Sequence, residues 1–202
     1  MLKPSRSEKL FSTPLLRFNV PDAALLNAAL LTEAEALRKA DAGANKSNRG
    51  GWHSSGNIFD QEAPCFAEVA DLARESVLEA SRTIGAKADV AALKFKLFGW
   101  MNVNPPGGFN APHTHPGAHW SGVYYVSQPE VEAGNSGMIE FLDPRSDLPN
   151  WRILKAPPFR LKKKIRPEAG QIVLFPSYLT HWVYPNDTKD ERVTLAFNAT
   201  FS

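Results

Sequence analysis

The most informative segment of the sequence runs from residue 110 to residue 125 and reads NAPHTHPGAHWSGVYY. Residues two apart on a β-strand point to the same face, so His113 and His115 are predicted to present both imidazoles to one side of a strand. Two neutral imidazoles on one face can occupy two adjacent positions of a divalent transition metal. The pair alone is a weak signal, but the Pro- and Gly-rich turns at 104–108 and 116–117 frame a short strand around it.

A third histidine, His181, stands far downstream at the start of another β-like run, 182–184. Antiparallel strands of a barrel can bring it opposite the pair. Three histidines would then occupy one face of a metal and leave other positions open for substrate and oxygen, as a catalytic metal requires. The direction of His119 is unreadable because a turn precedes it, and it is predicted to line a pocket rather than bind metal. His53, in a Gly- and Ser-rich loop, is predicted to serve at the surface or as a cap.

The spacing of apolar residues changes along the chain. Two segments, 22–37 and 64–84, repeat apolar residues near every fourth position, which predicts two helices. The predicted inward stripe of the first helix includes Ala24, Leu25, Ala28, Ala29 and Leu31. After residue 90 the period falls to two, beginning with the alternation of apolar Leu93, Phe95 and Leu97. The further strands predicted there are 121–126, 138–142, 162–165, 171–175, 182–184 and 192–201.

This order of elements predicts the fold class. Helices followed by many short strands indicate an α+β fold, and short strands separated by turns are typical of a barrel or sandwich. We therefore expect a double-stranded β-helix, a jelly-roll or cupin-like barrel, with the N-terminal helices packed on one outer sheet face. The chain is predicted to form one domain over 1–202, with a mainly helical flank over 1–90 and the β-helix core over 91–202.

The composition argues against several classes of partner. The formal net charge is +2 over 202 residues, and Cys65 is the single cysteine. No internal disulfide is possible, which fits a reducing compartment, so we expect a cytoplasmic protein. Neither a membrane span nor a secretory leader is expected, and the weak charge disfavours nucleic-acid binding. The basic run at 160–166 is predicted to be a solvated strand face. Composition does not indicate an oligomeric state.

The last predicted strand carries an arginine on a polar face. Arg192, Thr194 and Asn198 share this face, and the apolar residues between them share the other. If helices cover the outside of the barrel, the apolar face packs beneath them and Arg192 points into the interior. A buried guanidinium is costly without an anion, and a dicarboxylate bound bidentately would supply one. The strand therefore suggests an acidic co-substrate beside the metal. If the polar face of the strand pointed outward instead, the arginine would lie in water.

Two stretches carry a family resemblance. The first is 110–125, and the second runs from residue 170 to Asn198, beginning GQIVLFPSYLTH over 170–181. Together they resemble the uncharacterised bacterial and phage branch of the 2-oxoglutarate- and iron(II)-dependent oxygenases and, more distantly, the prolyl hydroxylases. The resemblance covers residues 92–201 and is specific in the order and spacing of its residues.

The resemblance implies roles for particular residues. His113 and His181 match iron ligands, and His115 stands where these oxygenases usually have an acidic ligand. The co-substrate residues that it implies are Arg192 and Tyr125 at the distal carboxylate of 2-oxoglutarate, with Thr194, Asn104 and Asn110 as further polar contacts.

The histidine at position 115 keeps alternatives open. A third neutral imidazole makes a more positive metal centre than a carboxylate would, and it also resembles the cupins, which share the barrel and often use three histidines. One interpretation is a non-haem Fe(II) and 2-oxoglutarate-dependent dioxygenase. The second is a cupin-like metalloenzyme with a three-histidine site that does not use 2-oxoglutarate, and the third is a non-catalytic barrel that binds a small acid or sugar.

The favoured prediction is the dioxygenase, which would hydroxylate or oxidise a small molecule or a side chain. Iron would be held by His113, His115 and His181, with the remaining positions open to the 2-oxo acid and oxygen. Aromatic residues beside the metal strands could line the pocket, although such residues more often belong to a core. The predicted walls of the substrate pocket are His119, Trp120 and Trp182.

Overall fold

The fold consists of two antiparallel β-sheets, with two helices packed on one of them. The computed structural model describes residues 3–145, 153 and 155–202. Its helices are α1 (Ala24–Ala40) and α2 (Pro64–Thr83), and short 3-10 turns lie at Ile58–Asp60, Val90–Ala92 and Pro157–Phe159. The strands are β1 (Leu16–Asn19), β2 (Asn48–Arg49), β3 (Trp52–His53), β4 (Phe95–Asn104), β5 (Phe109–His113), β6 (Trp120–Ser127), β7 (Ile139–Leu142), β8 (Lys162–Ile165), β9 (Gln171–Pro176), β10 (His181–Val183) and β11 (Arg192–Phe201).

The strands form a double-stranded β-helix. The large sheet has the order β1-β9-β6-β11-β4-β3, and the small sheet has the order β2-β5-β10-β7-β8. The chain crosses repeatedly from one sheet to the other, so sequence neighbours such as β9 and β10 lie in different sheets. This arrangement confirms the predicted fold class, while the assignment of residues 1–202 to a single domain stays a prediction.

Both helices pack on the outer face of the large sheet. Val193, Leu195 and Phe197 of β11 are buried in one cluster with apolar residues of α1 and α2. Arg192 and Thr194, which alternate with them, face the interior between the sheets and are equally buried. Successive residues of a strand point to opposite faces, so the apolar face of β11 packs beneath the helices and Arg192 points inward, as predicted for a helix-covered barrel.

The face that α1 turns inward differs from the predicted one. Leu26, Leu30 and Ala34 are buried at intervals of four residues, whereas Leu25 is 86% exposed and Leu31 is 41% exposed. Adjacent leucines occur on both sides of this helix, so periodicity does not distinguish them. Packing against the sheet selects the stripe that continues along the whole helix.

Strands after residue 120 agree with the predicted positions within one residue at each end. Three strands in the first ninety residues, β1 to β3, were not predicted. They are two to four residues long and lie at sheet edges, where pairing with a neighbour rather than their own pattern defines them. The basic run does form an exposed strand face at Lys162–Lys164. Neither α1 nor α2 is long and apolar enough to cross a membrane.

The packing of α1 gives a test with a matched control. Leu30→Ala removes a fully buried side chain and is expected to lower the free energy of unfolding by about 2–5 kcal/mol. Leu25→Ala, on the exposed face, should change it by less than about 0.5 kcal/mol. Urea unfolding of both variants measures the difference, and equal losses would contradict the observed orientation of the helix.

Candidate metal centre

Three imidazoles converge between the two sheets. His113 at the end of β5 and His181 at the start of β10 are direct partners in the antiparallel register, and their ring centroids lie 4.3 Å apart. The ring of His115 is 4.9 Å from that of His113 and 5.2 Å from that of His181. One ring nitrogen from each histidine lies within 4.8 Å of the other two, so the three side chains could hold one metal ion.

His115 reaches this cluster by a route that the sequence did not predict. Strand β5 ends at His113, so the two histidines do not share a strand. Instead, the backbone N–H of His115 donates to the carbonyl oxygen of Ser177, 3.0 Å away, in the turn after β9. This bond ties the segment after β5 to the other sheet, and the third imidazole therefore depends on a long-range contact.

Backbone carbonyls set the ring orientation of two of the histidines. Nδ1 of His113 lies 2.7 Å from the carbonyl oxygen of Ala111, and Nδ1 of His181 lies 2.9 Å from that of Leu179. A carbonyl can only accept, so each Nδ1 carries the hydrogen and each Nε2 keeps its lone pair. That tautomer is the one a metal needs, and the same second contact is characteristic of histidine ligands.

Burial keeps the three imidazoles neutral. Desolvation lowers the pKa of His115 to about 4 and that of His181 to about 3, and it also lowers the pKa of His113. Mutual repulsion among the rings acts in the same direction. At neutral pH the three rings are therefore unprotonated, which is the form that binds a cation.

An aromatic stack supports His115 from the large sheet. The rings of His115 and Trp100 have centroids 5.5 Å apart, and Trp100 stacks on His53 at 5.5 Å with an interplanar angle of 11°. His53 is buried on β3, and its Nδ1 lies 2.7 Å from the carbonyl oxygen of Ser54. The prediction of a surface or capping role for His53 is thus wrong, because pairing of β3 with β4 turns the ring inward.

A buried cation occupies the other end of the same cavity. Arg192 is 2% exposed, its Nε donates to Oε1 of Gln128 at 3.0 Å, and its guanidinium carbon lies 5.2 Å from the ring centroid of Tyr125. Desolvation lowers the pKa of Arg192 and raises that of Tyr125. Among the described residues no carboxylate lines this cavity. The buried Tyr125 hydroxyl also has no hydrogen-bond partner within the described ranges.

The polar residues near Arg192 only partly match the predicted set. Thr194 and Asn110 line the cavity, whereas Asn104, the partner of Arg192 across the sheet, is not among its lining residues. Asn104 donates from Nδ2 to Oδ1 of Asn110, 3.1 Å away, and its role as a co-substrate contact stays a prediction. The structure adds Asn102, which pairs with Thr194 across the sheet and lines the cavity. Its position two residues before Asn104 on the same strand was a signal that could have identified it.

The three predicted substrate-pocket residues lie outside the cavity. His119 is exposed, and its Nδ1 accepts a hydrogen bond from the backbone N–H of Phe201 at 3.2 Å. Trp120 belongs to the core beneath the helices, and Trp182 points outward to Oε1 of Glu140 at 3.1 Å. Strand alternation explains both tryptophans, because each neighbours a residue that faces the interior. For His119 and the two tryptophans, the predicted pocket role is therefore wrong.

The fold and these side chains define the class of protein. A double-stranded β-helix encloses a cavity that is lined by three metal-competent imidazoles and a buried arginine. Neutral nitrogen ligands suit divalent iron among other transition metals, and the guanidinium without a carboxylate partner suits a bound dicarboxylate. The residues present therefore fit a mononuclear metal site with an acidic co-substrate.

Comparison with known proteins agrees with this class. The sequence model of the family described as putative 2OG-Fe(II) oxygenase matches residues 99–198. A prolyl-4-hydroxylase from Pseudomonas putida is similar in structure, with a TM-score of 0.67 and 17% identity over 95% of this chain and 94% of that chain. HygX from Streptomyces hygroscopicus, bound to nickel, 2-oxoglutarate and hygromycin B, has a TM-score of 0.63 and 14% identity over 93% of this chain and 83% of that one.

A viral enzyme is also similar in structure. The viral collagen prolyl hydroxylase from Paramecium Bursaria Chlorella virus-1, in complex with 2-oxoglutarate, has a TM-score of 0.59 and 15% identity over 92% of this chain and 94% of that chain. No curated protein matches the sequence significantly. Over residues 99–198 the chain matches the 2-oxoglutarate- and Fe(II)-dependent oxygenases, a family of enzymes. This match does not favour the cupin-like alternative without 2-oxoglutarate.

The buried histidines predict a pH dependence of stability for the metal-free protein. Their folded pKa values lie below the ordinary value of 6.5, so between pH 6.5 and about 4 the unfolded chain binds more protons than the folded one. Stability should therefore be full above pH 6.5 and fall as the pH drops through this window. Thermal unfolding of the metal-free protein between pH 7.5 and pH 5 measures the slope. His181→Gln should flatten the slope, and a slope equal to that of the wild-type protein would contradict the lowered pKa of His181.

The aromatic stack predicts that Trp100 holds His115 in place for metal binding. Trp100→Ala is expected to weaken Co(II) binding by about 10–100-fold, the usual effect of losing a residue that supports a ligand. Trp100→Phe should restore most of the affinity because it retains an aromatic surface. Trp182→Ala, at a tryptophan outside the cavity, is the control. Metal titration monitored by absorbance gives the affinities, and a Trp100→Ala protein that binds as tightly as the Trp182→Ala protein would rule out the role.

Proposed function

We propose that His113, His115 and His181 hold Fe(II), and that Arg192 with Tyr125 and Thr194 binds the distal carboxylate of 2-oxoglutarate. The observation that carries this proposal is the buried Arg192, which shares one cavity with three neutral imidazoles and no carboxylate among the described residues. Fe(II) and 2-oxoglutarate, when bound, supply the oxidation of a C–H bond by O₂ with loss of carbon dioxide and formation of succinate. The protein contributes binding, orientation and exclusion of water.

The two ends of the cavity favour one orientation of the co-substrate. The guanidinium presents fixed N–H donors that match a carboxylate, and Gln128 holds Nε so that the plane of the group cannot turn freely. The Tyr125 hydroxyl can donate a further hydrogen bond at the same end. The 2-oxo acid end would then lie near the imidazoles, where it can complete the coordination of iron.

Charge supports a dianionic co-substrate in this site. Fe(II), three neutral imidazoles and one guanidinium together carry three positive charges, and burial makes an uncompensated charge of this size costly. A bound 2-oxoglutarate dianion removes two of them. The residual positive charge is one greater than in a site with a carboxylate ligand, because His115 contributes none.

The substrate and the compartment extend the proposal. Family relatives of known structure include one with a peptide fragment of hypoxia inducible factor and one with hygromycin B, so both peptide and small-molecule substrates occur on this fold. We infer a small molecule or a side chain as the substrate here, and neither membrane nor nucleic acid as a partner. A cytoplasmic location accompanies the proposal because the sequence has one cysteine, Cys65, and cannot form an internal disulfide.

Anaerobic titration with Fe(II) and 2-oxoglutarate tests the co-substrate. The wild-type protein is expected to develop the weak visible charge-transfer band of the chelate. Arg192→Gln should raise the dissociation constant of 2-oxoglutarate by about 30-fold or more, because it leaves a carboxylate buried without its partner. Arg160→Gln removes the same charge from an exposed position and should leave the dissociation constant unchanged. A folded, iron-loaded protein without the band would end the proposal.

Substitution at position 115 tests the three-histidine site separately. His115→Asp installs the carboxylate usual in related oxygenases and is expected to retain Fe(II) binding and the chelate band. His115→Ala should weaken Fe(II) binding by at least about tenfold, since only two protein ligands remain. Metal content after gel filtration and isothermal titration give the comparison. If His115→Ala binds Fe(II) as tightly as wild type, His115 is not a ligand.

A further inference from the structure

The interior face of the large sheet is organised in rows of side chains. Thr194, Ala196 and Asn198 of β11 point to the same face of the sheet. The antiparallel register places each of them between one residue of β6 and one residue of β4. Each row is named here by its central residue, so the sheet carries a Thr194 row, an Ala196 row and an Asn198 row. The rows are Tyr125–Thr194–Asn102, Val123–Ala196–Trp100 and Ser121–Asn198–Phe98.

Each row has a different relation to the metal centre. The Thr194 row adjoins Arg192, the end assigned above to the distal carboxylate. The Ala196 row includes Trp100, whose ring contacts His115, so this row lies opposite the imidazoles. Strand residues rise about 3.3 Å each, so the Asn198 row lies about 7 Å beyond, on the side away from the carboxylate end. A molecule that approaches the metal from this side meets the Asn198 row.

A chain of hydrogen bonds orients the amide of Asn198. Oγ of Ser121 lies 3.0 Å from Oγ of Ser177 and 2.7 Å from Oδ1 of Asn198. Ser121 has one hydroxyl hydrogen, and the amide oxygen can only accept it, so Ser177 donates to Ser121 and Ser121 donates to Asn198. Both serines are buried, at 1–2% exposure, and Asn198 is partly exposed. Within the described ranges no hydrogen bond uses Nδ2 of Asn198, so its hydrogens can be donated to an acceptor on an incoming molecule.

The neighbours of Asn198 on the same face of β4 and β6 are aromatic or uncharged out to the Ala196 row. Phe98 is 49% exposed, and its ring centroid lies 6.2 Å from that of Trp100, so the two rings form a wall beside the amide. Ser121 and Trp100 also line the cavity with the imidazoles. Lys96, which pairs with Thr200, is the nearest charged residue with the same parity on β4, and it lies one row further out and exposed.

We propose that the Asn198 row is the subsite for the group that is oxidised, and that it selects an uncharged alkyl group next to a carbonyl or hydroxyl acceptor. The inference rests on the proposed function, because it assumes that the imidazoles hold the metal. Asn198 donates to the acceptor, and Phe98 with Trp100 covers the hydrocarbon. A charged group would lose hydration against this wall without gaining an opposite charge.

Matched probes test this selection. N-acetyl-leucine N-methylamide is uncharged, N-acetyl-leucine adds a carboxylate and leucine N-methylamide adds an ammonium group, while the side chain stays the same; corresponding trios use proline and phenylalanine. Each probe is added to the iron-loaded enzyme with 2-oxoglutarate and O₂, and succinate formation above the rate without probe is measured. In at least one trio, the uncharged member is expected to stimulate with a half-saturating concentration at least about tenfold lower than either charged member.

Two variants assign the effect to the proposed subsite. Asn198→Ala should raise the half-saturating concentration of the uncharged probe by about three- to tenfold, the effect of losing one hydrogen bond, and should leave the dissociation constant of 2-oxoglutarate unchanged in the chelate titration. Lys96→Gln should leave the response to the uncharged probe unchanged. A contrary result would be that a carboxylate probe stimulates better than its uncharged counterpart and that Lys96→Gln abolishes this stimulation. The site would then select anions, and the proposal would be overturned.

The remaining outcomes separate this proposal from the proposed function. Equal responses within every trio, an Asn198→Ala protein that behaves as wild type, or no stimulation by any uncharged probe while the chelate band is intact would each overturn the subsite. Absence of the chelate band in the wild-type protein would overturn the proposed function and the subsite with it.

Discussion

The pairing of β5 with β10 is the constraint on which the site depends. It places His113 directly opposite His181 and brings their rings to 4.3 Å. Each ring is then held by a backbone carbonyl of its own segment, so the two Nε2 lone pairs are oriented before any metal arrives. Such pre-organisation reduces the loss of side-chain freedom on binding. His115 has a different kind of support, from the backbone contact with Ser177 and the ring of Trp100.

Strand β11 contributes both to the hydrophobic core and to the lining of the cavity. The outward residues of β11 lie in the core beneath α1 and α2, and its inward residues Arg192, Thr194 and Ala196 line the cavity. The helices therefore fix the position of a strand whose other face carries the buried cation. The cost of burying that cation is tolerable only with a counter-anion, which links the architecture of the barrel to the use of an acidic co-substrate.

The absence of a carboxylate from the cavity lining, as far as the structure describes it, distinguishes this centre from a site with two histidines and an acidic ligand. Charge that a ligand carboxylate would neutralise must be balanced by bound anions instead. Among the described residues that line the pocket, Arg192 is the one with a fixed full charge, and it lies at the far end from Asn198. A metal centre with this charge distribution binds its dicarboxylate at one end and leaves an uncharged, aromatic surface at the other.

Sequence patterns were sufficient to locate the strands after residue 120 and to identify the three converging histidines, and they linked an inward-facing Arg192 to a helix-covered barrel. These follow from alternation and from residue types whose burial requires a partner. Only the tertiary structure decided which face of α1 is buried, that β5 stops at His113, and that His53 supports Trp100. It also placed His119, Trp120 and Trp182 outside the cavity and added Asn102 to its wall. These features depend on contacts between distant segments, such as His115 with Ser177, and no local pattern encodes which segments will meet.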